Sequence, residues 1–534
     1  MSRAASGHPE AGARAAEIGG AVPPFPVAPP LPVAPPLSVA RRAMILAAVV
    51  MATTLYGTTL LIVSTILPQM QGSFSATADE IAWAMTFNIL ATAIITPLTG
   101  WLAARFGTRR TMVWSITGFT FATLMCGLAE SLEALVFWRI LQGGFGAPST
   151  PLAQSILLDT FPRAQHGLVM GLYGFGVVIG PVIGPTLGGQ MAELYTWRWA
   201  FYALVPVGVL AAIGLRFFLR PDEPSAAPPR AFDWLGFLSL SISLGAAQLV
   251  LARGQRLDWY QSGEIILETI VAVLAFWIFA VHCLTTDRPF LNPRQLLNRN
   301  YAIGLLLVTI YGMLNFTPMV LLPPLLTGPA GYTDSLVGIV IAGRGVGGCI
   351  GFLFAGFATR MDARLSMMLG FGMLLAAGLW LMHIDLNINY ATLTANAMLQ
   401  GMAIGLIWVP LTTVTFSTVP REEMAEATAI YHLLRNLGSS FFISICVAEI
   451  VRSTTANYGR LVEALSPFNK MLIDPFTLGG WNVDTATGLA RMSREIGRQA
   501  TMIAYLNAFG LFTAACAVTI PLILLMRGRP ATTV

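Results

Sequence analysis

A chain of 534 residues that is 55% hydrophobic and only 11% charged, with a mean hydropathy of +0.69, has too little polar surface to cover a soluble globule of its length. The net charge of +5 raises nucleic acid as a partner, but the basic residues stand singly in short segments between apolar runs, the pattern of topology signals and not of a binding face. The five cysteines (Cys126, Cys283, Cys349, Cys446, Cys516) fall within or beside apolar runs without a CxxC, and His8, His166, His282, His383 and His432 show no ligand spacing, so disulfides, zinc and other cofactors are not expected.

Residues 1–42 differ from all that follows. Pro26–Leu37 is a tandem PVAPPL repeat that favours extended polyproline II and cannot bury a core, so a disordered cytoplasmic tail is expected there. The first apolar run, Ala43–Leu67, is too long for a signal-peptide core and reads as a retained span. A bilayer core about 30 Å thick needs roughly 20 apolar residues per helix. Fourteen runs qualify: 43–67, 81–103, 111–129, 133–157, 166–190, 199–219, 234–252, 265–284, 300–326, 335–358, 365–382, 390–415, 427–450 and 503–526.

Arginine asymmetry sets the expected orientation. With both termini inside, Arg41, Arg42, Arg105, Arg109, Arg110, Arg163, Arg216, Arg220, Arg230, Arg288, Arg294, Arg299, Arg360, Arg364, Arg421, Arg527 and Arg529 are cytoplasmic. The short outer loops then hold only Arg198, Arg253 and Arg256, a bias of about five to one. A long outer loop at 451–502, with an amphipathic stretch at Ala490–Met502, escapes that rule because long loops translocate regardless of charge.

The two ends of the chain echo each other. Gln142-Gly143 leads to Pro151-Leu152, Pro162-Arg163 and Tyr173; Gln400-Gly401 leads to Pro410-Leu411, Pro420-Arg421 and Tyr431. The copies keep the same side inside, as parallel repeats do, and the spans at 234–252 and 265–284 fall between them as an inserted pair.

Three constellations carry chemistry. After the second span, Gly100-Trp-Leu-Ala-Ala-Arg105-Phe-Gly107-Thr-Arg109-Arg110 lets a loop turn tightly against a neighbouring helix while its arginines anchor the inner side; for Arg109 and Arg110 a topology role alone is an equal reading. In the fourth span, Arg139-Ile-Leu-Gln142-Gly143 places an arginine in apolar sequence. That costs roughly 2.5–3.5 kcal/mol, so Arg139 must face protein or water and have a partner, and Gln142 lies one turn on. In the fifth span, Gly171 precedes Gly180-Pro-Val-Ile-Gly184-Pro185-Thr-Leu-Gly188-Gly189, more small residues than ordinary packing needs, which suggests a deformable helix at a moving interface. Neither Gly174-Phe-Gly176 nor Gly343-Arg-Gly345 is a dinucleotide fingerprint, because no strand precedes them.

Together these resemble the second-helix loop motif, the RxxQG motif and the antiporter motif of the major facilitator superfamily. With the fourteen spans, Pro97–Trp101 (PLTGW) and Arg435-Asn-Leu-Gly438, residues 43–527 resemble the fourteen-helix drug:proton antiporter family, in particular its EmrB-like members. The resemblance implies an all-α polytopic fold. Six helices (43–220) and six more (300–527) form two bundles, joined by the inserted pair (221–299) and closed by a short tail at 528–534. It also implies a multidrug exporter of the bacterial inner membrane, not an enzyme, driven by proton antiport. A long outer loop in this place implies a periplasmic adaptor and an outer-membrane channel as partners, with a partnerless flexible lid as the alternative.

Under this reading Arg139, Gln142, Gly143, His432 and Arg435 are the transport and coupling candidates. Gly100, Arg105, Gly107, Arg109, Gly171, Gly180, Gly184, Pro185, Gly188 and Gly189 form the conformational motifs. Asn88, Gln154, Tyr173 and Asn315 could line a cavity, although for each a helix-packing hydrogen bond is the stronger reading. Two departures matter: the family carries aspartates where this chain has Ala104 and Thr59, so its usual proton-binding acid is missing. His432, an imidazole inside span thirteen, is the candidate substitute, with a structural histidine, favoured by Arg435 one turn away, as the stronger alternative. A membrane enzyme would need a clustered catalytic set that the sequence does not display; a transport-like receptor or scaffold without turnover, or an exporter of one metabolite or lipid, are the alternatives.

Overall fold

The computed structural model describes residues 38–222, 232–286, 289–358, 362–463, 465 and 485–526. The proline-rich repeat, the expected tail at 528–534, and Arg230, Arg288, Arg360, Arg527 and Arg529 lie outside them. Among the described residues all regular structure is helical. The first half contains α1 (Val39–Phe74), α2 (Ala78–Ile95), α3 (Thr99–Phe106), α4 (Thr108–Leu128), α5 (Leu132–Gly146), α6 (Ser149–Thr160), α7 (His166–Leu194), α8 (Trp197–Tyr202) and α9 (Val205–Phe218). Helices α10 (Trp234–Arg253) and α11 (Gly263–Thr285) follow. The second half contains α12 (Arg299–Thr327), α13 (Asp334–Ala358), α14 (Ala363–Leu381), α15 (Tyr390–Thr415), α16 (Met424–Glu463) and α17 (Ala486–Ile523).

Among the described residues twelve stretches are long and apolar enough to cross a membrane, or thirteen if α2 and α3, bent by 55°, count as one span. The bend falls at Pro97, which supplies no N–H to the ladder. The expected span at 133–157 is divided between α5 and α6 at Ala147-Pro148; at 15 and 12 residues, neither reaches the roughly 20 that a crossing needs alone. A count of apolar residues does not see such a break.

The outer segment departs from expectation. Residues 451–463 and 486–502, expected as loop, are helical continuations of α16 and α17. These helices have 40 and 38 residues, so at 1.5 Å per residue each is nearly 60 Å long, about twice the apolar thickness of a bilayer. Beyond the apolar part they run side by side, with the Tyr458 and Ser493 hydroxyls 2.9 Å apart and Arg498 donating to the Pro329 carbonyl at 2.7 Å.

The inserted pair is fastened at both ends. Asp233 caps α10 at the Gly236 N–H (2.9 Å), accepts from the Phe290 N–H (2.9 Å) and pairs with His282 of α11 at 2.9 Å. At the other end Arg253 pairs with Glu264 (2.6 Å) and Glu268 (3.2 Å). Helix α10 packs on α2 and α16, one from each half, while α11 shows Leu267, Val273 and Trp277 outward, each more than 60% exposed, as a lipid-facing helix does.

The two halves meet along α7 and α13, and again where α16 lies on α3 and α6. The α3–α4 corner shows why glycine is needed there. Gly107 has φ +91°, and the Asp222 carboxylate fills the place of a side chain, accepting from the backbone N–H of Arg109 (2.8 Å) and Arg110 (3.1 Å). This corner, the start of α1 and the end of α9 define one arginine-bearing end of the molecule.

Candidate functional site

The first half holds one buried cation. Arg139 on α5 is 1% exposed; its Nε donates to the Ala84 carbonyl of α2 at 3.1 Å and its Nη1 donates to Gln142 Oε1. Gln142 Nε2 passes the chain to Thr123 Oγ1 on α4 (2.7 Å), and Thr123 donates to the Phe119 carbonyl at 2.7 Å. Asn88 of α2 donates back to the Arg139 carbonyl at 2.7 Å. Gly143, the next residue after Gln142, lets the Asn88 backbone approach so closely that a Cβ there would collide with its carbonyl. The partner required for Arg139 is therefore a set of neutral oxygens on α2 and α5, without a carboxylate among the described residues.

A second network has the same plan; the sequence supplies Asn315 as a candidate and Gln400 in the repeat, but not the arginine at its centre. Arg344 on α13 donates to Gln400 Oε1 of α15 at 3.1 Å and to the backbone carbonyl and Oδ1 of Asn315 on α12, the latter at 3.2 Å. Gln400 Nε2 donates to Asn396 Oδ1 (2.7 Å), and Asn396 donates to the Ala377 carbonyl of α14 at 3.0 Å. Gly401 lies on the Arg344 carbonyl as Gly143 lies on that of Asn88. Thus Arg344 stands where the first half has Asn88, and each relay runs from guanidinium through glutamine to a carbonyl on the third span of its half, α4 or α14. The echo of Gln142-Gly143 in Gln400-Gly401 is the signal from which a second arginine could be sought.

Between these networks lies the seam. His432 of α16 and Gln154 of α6, both fully buried, join Nε2 to Oε1 at 2.7 Å across 278 positions of sequence. His432 Nδ1, Gln154 Nε2 and the hydroxyls of Tyr173 and Tyr431 are buried without a hydrogen-bond partner among the described residues. Trp408 stacks near Tyr311 (5.2 Å between centroids), Tyr431 (5.5 Å) and His432 (5.9 Å). The Arg435 guanidinium lies 5.5 Å from the Trp408 ring and 5.9 Å from that of Phe316, and donates to Asn436 Oδ1 at 3.1 and 3.3 Å. It has no carboxylate partner among the described residues.

The small-residue motif lies on a helix crossing. A Cβ at Gly180 would stand 2.5 Å from the Thr54 carbonyl, at Gly184 2.9 Å from that of Thr58, and at Gly188 2.5 Å from an Ile62 carbon, so α1 and α7 touch backbone to backbone. Thr54 donates to the Gly176 carbonyl at 2.8 Å. Gly171 is buried earlier on α7; Gly189 has ordinary contact with Thr65 at 3.8 Å and stands apart from the tight crossing; the Pro185 side chain lies outside the described ones. The other face of α7 meets α13, where Gly345 and Gly348 sit against Val182 and Val178. Gly100 touches the second half directly: a Cβ would lie 2.8 Å from the Glu426 Cα on α16.

Remaining positions divide cleanly. Arg105 is exposed in the last turn of α3, whereas Arg109 reaches the Arg216 carbonyl of α9 and so pins α4 to α9. Thr59, in the place of the family's acid, is buried and donates to the Leu55 carbonyl of its own helix at 2.8 Å; Ala104 is exposed.

Known proteins share this architecture. Residues 47–443 match the Major Facilitator Superfamily profile. The multidrug export protein EmrB of Escherichia coli K12 is 34% identical over 405 residues, covering 76% of this chain and 79% of that protein. The fatty acid resistance protein FarB of Neisseria gonorrhoeae is 29% identical over 407 residues, covering 76% and 80%. Among solved structures, the human organic anion transporter MFSD10 (TETRAN) superposes with a TM-score of 0.57 over 89% of this chain and 99% of its own, at 12% identity, a likeness of fold.

The first network makes an asymmetric prediction. Gln142→Leu leaves a buried guanidinium without its strongest acceptor and should cost roughly 3 kcal/mol, whereas Arg139→Met removes the charge itself and should cost roughly 1–2 kcal/mol. Thermal unfolding in detergent should place the double variant near Arg139→Met; equal losses that simply add would show that the two side chains act independently.

Proposed function

The chain belongs to the Major Facilitator Superfamily, and from that premise we propose that it is a multidrug efflux transporter of the bacterial inner membrane that exports amphipathic molecules by alternating access between its halves. The observation that carries this reading is the centre of the seam. Arg435 presents a guanidinium against aromatic faces with no carboxylate beside it among the described residues, a surface that suits a molecule with an apolar body and an acidic or polar head. The relatives named for multidrug export and for fatty acid resistance support it.

The seam also suggests how the halves move. Gly100 on Glu426 and Gln154 on His432 hold the arginine-bearing end together, and the glycine-lined faces of α7 and α13 offer surfaces that can slide with little side-chain repacking. Coupling to protons is part of the proposal. With Thr59 satisfied within its helix, His432 is the imidazole placed on the seam among the described residues, and a change in its proton would alter the bond to Gln154 that joins the halves. An inward proton supplies about 2.3 kcal/mol per 100 mV of membrane potential. Fourteen spans, with both termini cytoplasmic, belong to the same reading; the arginine bias supports it.

Energised inside-out vesicles test transport directly. The wild type should concentrate a fluorescent amphipathic dye against its gradient, Arg139→Ala should insert but fail to do so, and Arg139→Lys should restore little, because an ammonium cannot reproduce a planar fork. His432→Gln should transport with a flattened pH profile. Full transport by well-expressed Arg139→Ala would refute its role.

The paired extensions of α16 and α17 suit docking of a periplasmic adaptor, since they stand well beyond the apolar part of the chain. Deleting residues 455–490 should spare transport in vesicles and abolish resistance in whole cells. Loss of both, or of neither, would count against an adaptor-docking role.

A further inference from the structure

Arg344 does more than close its own relay. It is 7% exposed on α13, and its Nη2 donates both to the Asn315 backbone carbonyl and to Asn315 Oδ1, the latter at 3.2 Å. A guanidinium carries donors only, so the Asn315 amide must turn its oxygen toward Arg344 and its nitrogen away. The asparagines of the two relays spend that nitrogen on a carbonyl: Asn88 Nδ2 donates to Arg139 at 2.7 Å, and Asn396 Nδ2 to Ala377 at 3.0 Å. Asn315 Nδ2 donates to no described residue. Asn315 is half-buried where Asn88 and Asn396 are fully buried, and its nitrogen, unlike Gln154 Nε2, is not shut off from the molecular surface. The result is an amide donor whose direction is fixed from behind and whose front is open.

The helix aims that donor at the seam. With 3.6 residues per turn, Asn315 projects from α12 between Tyr311, about 40° to one side, and Phe316, about 100° to the other. Both belong to the aromatic surface at the seam: the Tyr311 ring lies 5.2 Å from that of Trp408, and the Phe316 ring 5.9 Å from the Arg435 guanidinium. Gly312, on the same side of α12, lies against the Arg435 backbone, so no side chain separates the two helices there. A packing role does not account for this geometry, because an asparagine kept only for packing has its nitrogen satisfied by a neighbouring helix, as Asn88 and Asn396 do.

We propose that Asn315 is a specificity-determining residue: its Nδ2 donates to an acceptor oxygen on the polar head of an amphipathic substrate, an ester, amide or carboxylate, and Arg344 is the positioning residue that keeps this donor facing outward. The assignment rests on the reading of the seam as the substrate surface of a transporter and deepens it. Arg435 distinguishes heads by charge, whereas a fixed neutral donor distinguishes them by the presence of an oxygen, charged or not. A site built to hydrogen-bond an oxygen refuses the analogue that lacks it more strongly than an apolar pocket can.

Equilibrium binding of two matched probes to the full-length protein in nanodiscs provides the test: an amphipathic methyl ester, which only accepts, and the protonated amine on the same body, which only donates. The wild type should prefer the ester. Asn315→Asp is isosteric and still pairs with Arg344, but turns the open donor into an acceptor; it should weaken the ester about fivefold and tighten the amine by about the same factor. Asn315→Ala should weaken the ester equally and leave the amine unmoved. Arg344→Met should match Asn315→Ala, and the double variant should bind the ester no more weakly than either alone. Arg344→Lys, which keeps a donor for Oδ1, should recover part of the loss. The ester is neutral, so removal of the Arg344 charge does not by itself produce this pattern. An unchanged ester-to-amine ratio in Asn315→Asp, an equal loss of both probes in Asn315→Ala, or a wild type that does not bind the ester overturns the assignment. A wild type that binds the ester with this pattern of variants, yet fails to accumulate it in energised vesicles, supports the assignment and overturns the transport reading instead.

Discussion

The whole arrangement rests on keeping guanidinium groups inside an apolar bundle with no carboxylate among the described residues to neutralise them. Arg139 and Arg344 solve this with oxygens: each gives its N–H groups to carbonyls and to a glutamine whose own amide is held by another polar side chain. The glutamine presents its oxygen to the arginine only because its nitrogen has somewhere else to go. That second bond, to Thr123 in one half and Asn396 in the other, fixes the orientation of the first. The relays also stitch helices together. In each half several crossings are joined through one polar chain, which makes that half a rigid unit.

Rigid halves leave motion to the surfaces between them. Those surfaces are lined by glycine where α7 meets α13, and are joined by a few specific contacts, Gly100 on Glu426 and Gln154 on His432. Close backbone approach gains dispersion contacts without interlocking side chains, so such faces can shift at small cost. The inserted pair contributes differently. Helix α10 bridges α2 and α16 from outside, and α11 covers it with an apolar face, so the pair lies beside the moving seam and not within it.

Much of this is legible in the sequence. Apolar run length locates the crossings, and Arg139 stands out because a charge in such a run demands an explanation. The fold of α5 and α6 around Ala147-Pro148 is not legible, because a break inside an apolar run leaves the composition unchanged. The polar parts of α16 and α17 read as loop because hydropathy marks membrane contact, not helicity. Arg344 stays hidden because Gly343-Arg-Gly345 resembles a nucleotide motif and fails as one; its partners Asn315 and Gln400 become meaningful only once α12, α13 and α15 are side by side. The Gln154–His432 bond joins residues 278 positions apart, and nothing local to either one announces the other.

Arg435, half-buried where Arg139 and Arg344 are fully buried, is the exception, since its guanidinium meets rings and one asparagine instead of a closed relay. If that opening is the substrate site, it should discriminate by charge. The decisive measurement compares uptake of an amphipathic carboxylate and of its amine analogue by energised inside-out vesicles, for the wild type and Arg435→Gln. The variant should lose most carboxylate transport, by about tenfold or more, while amine transport persists. Equal carboxylate transport by both proteins would contradict an anion-reading role for Arg435.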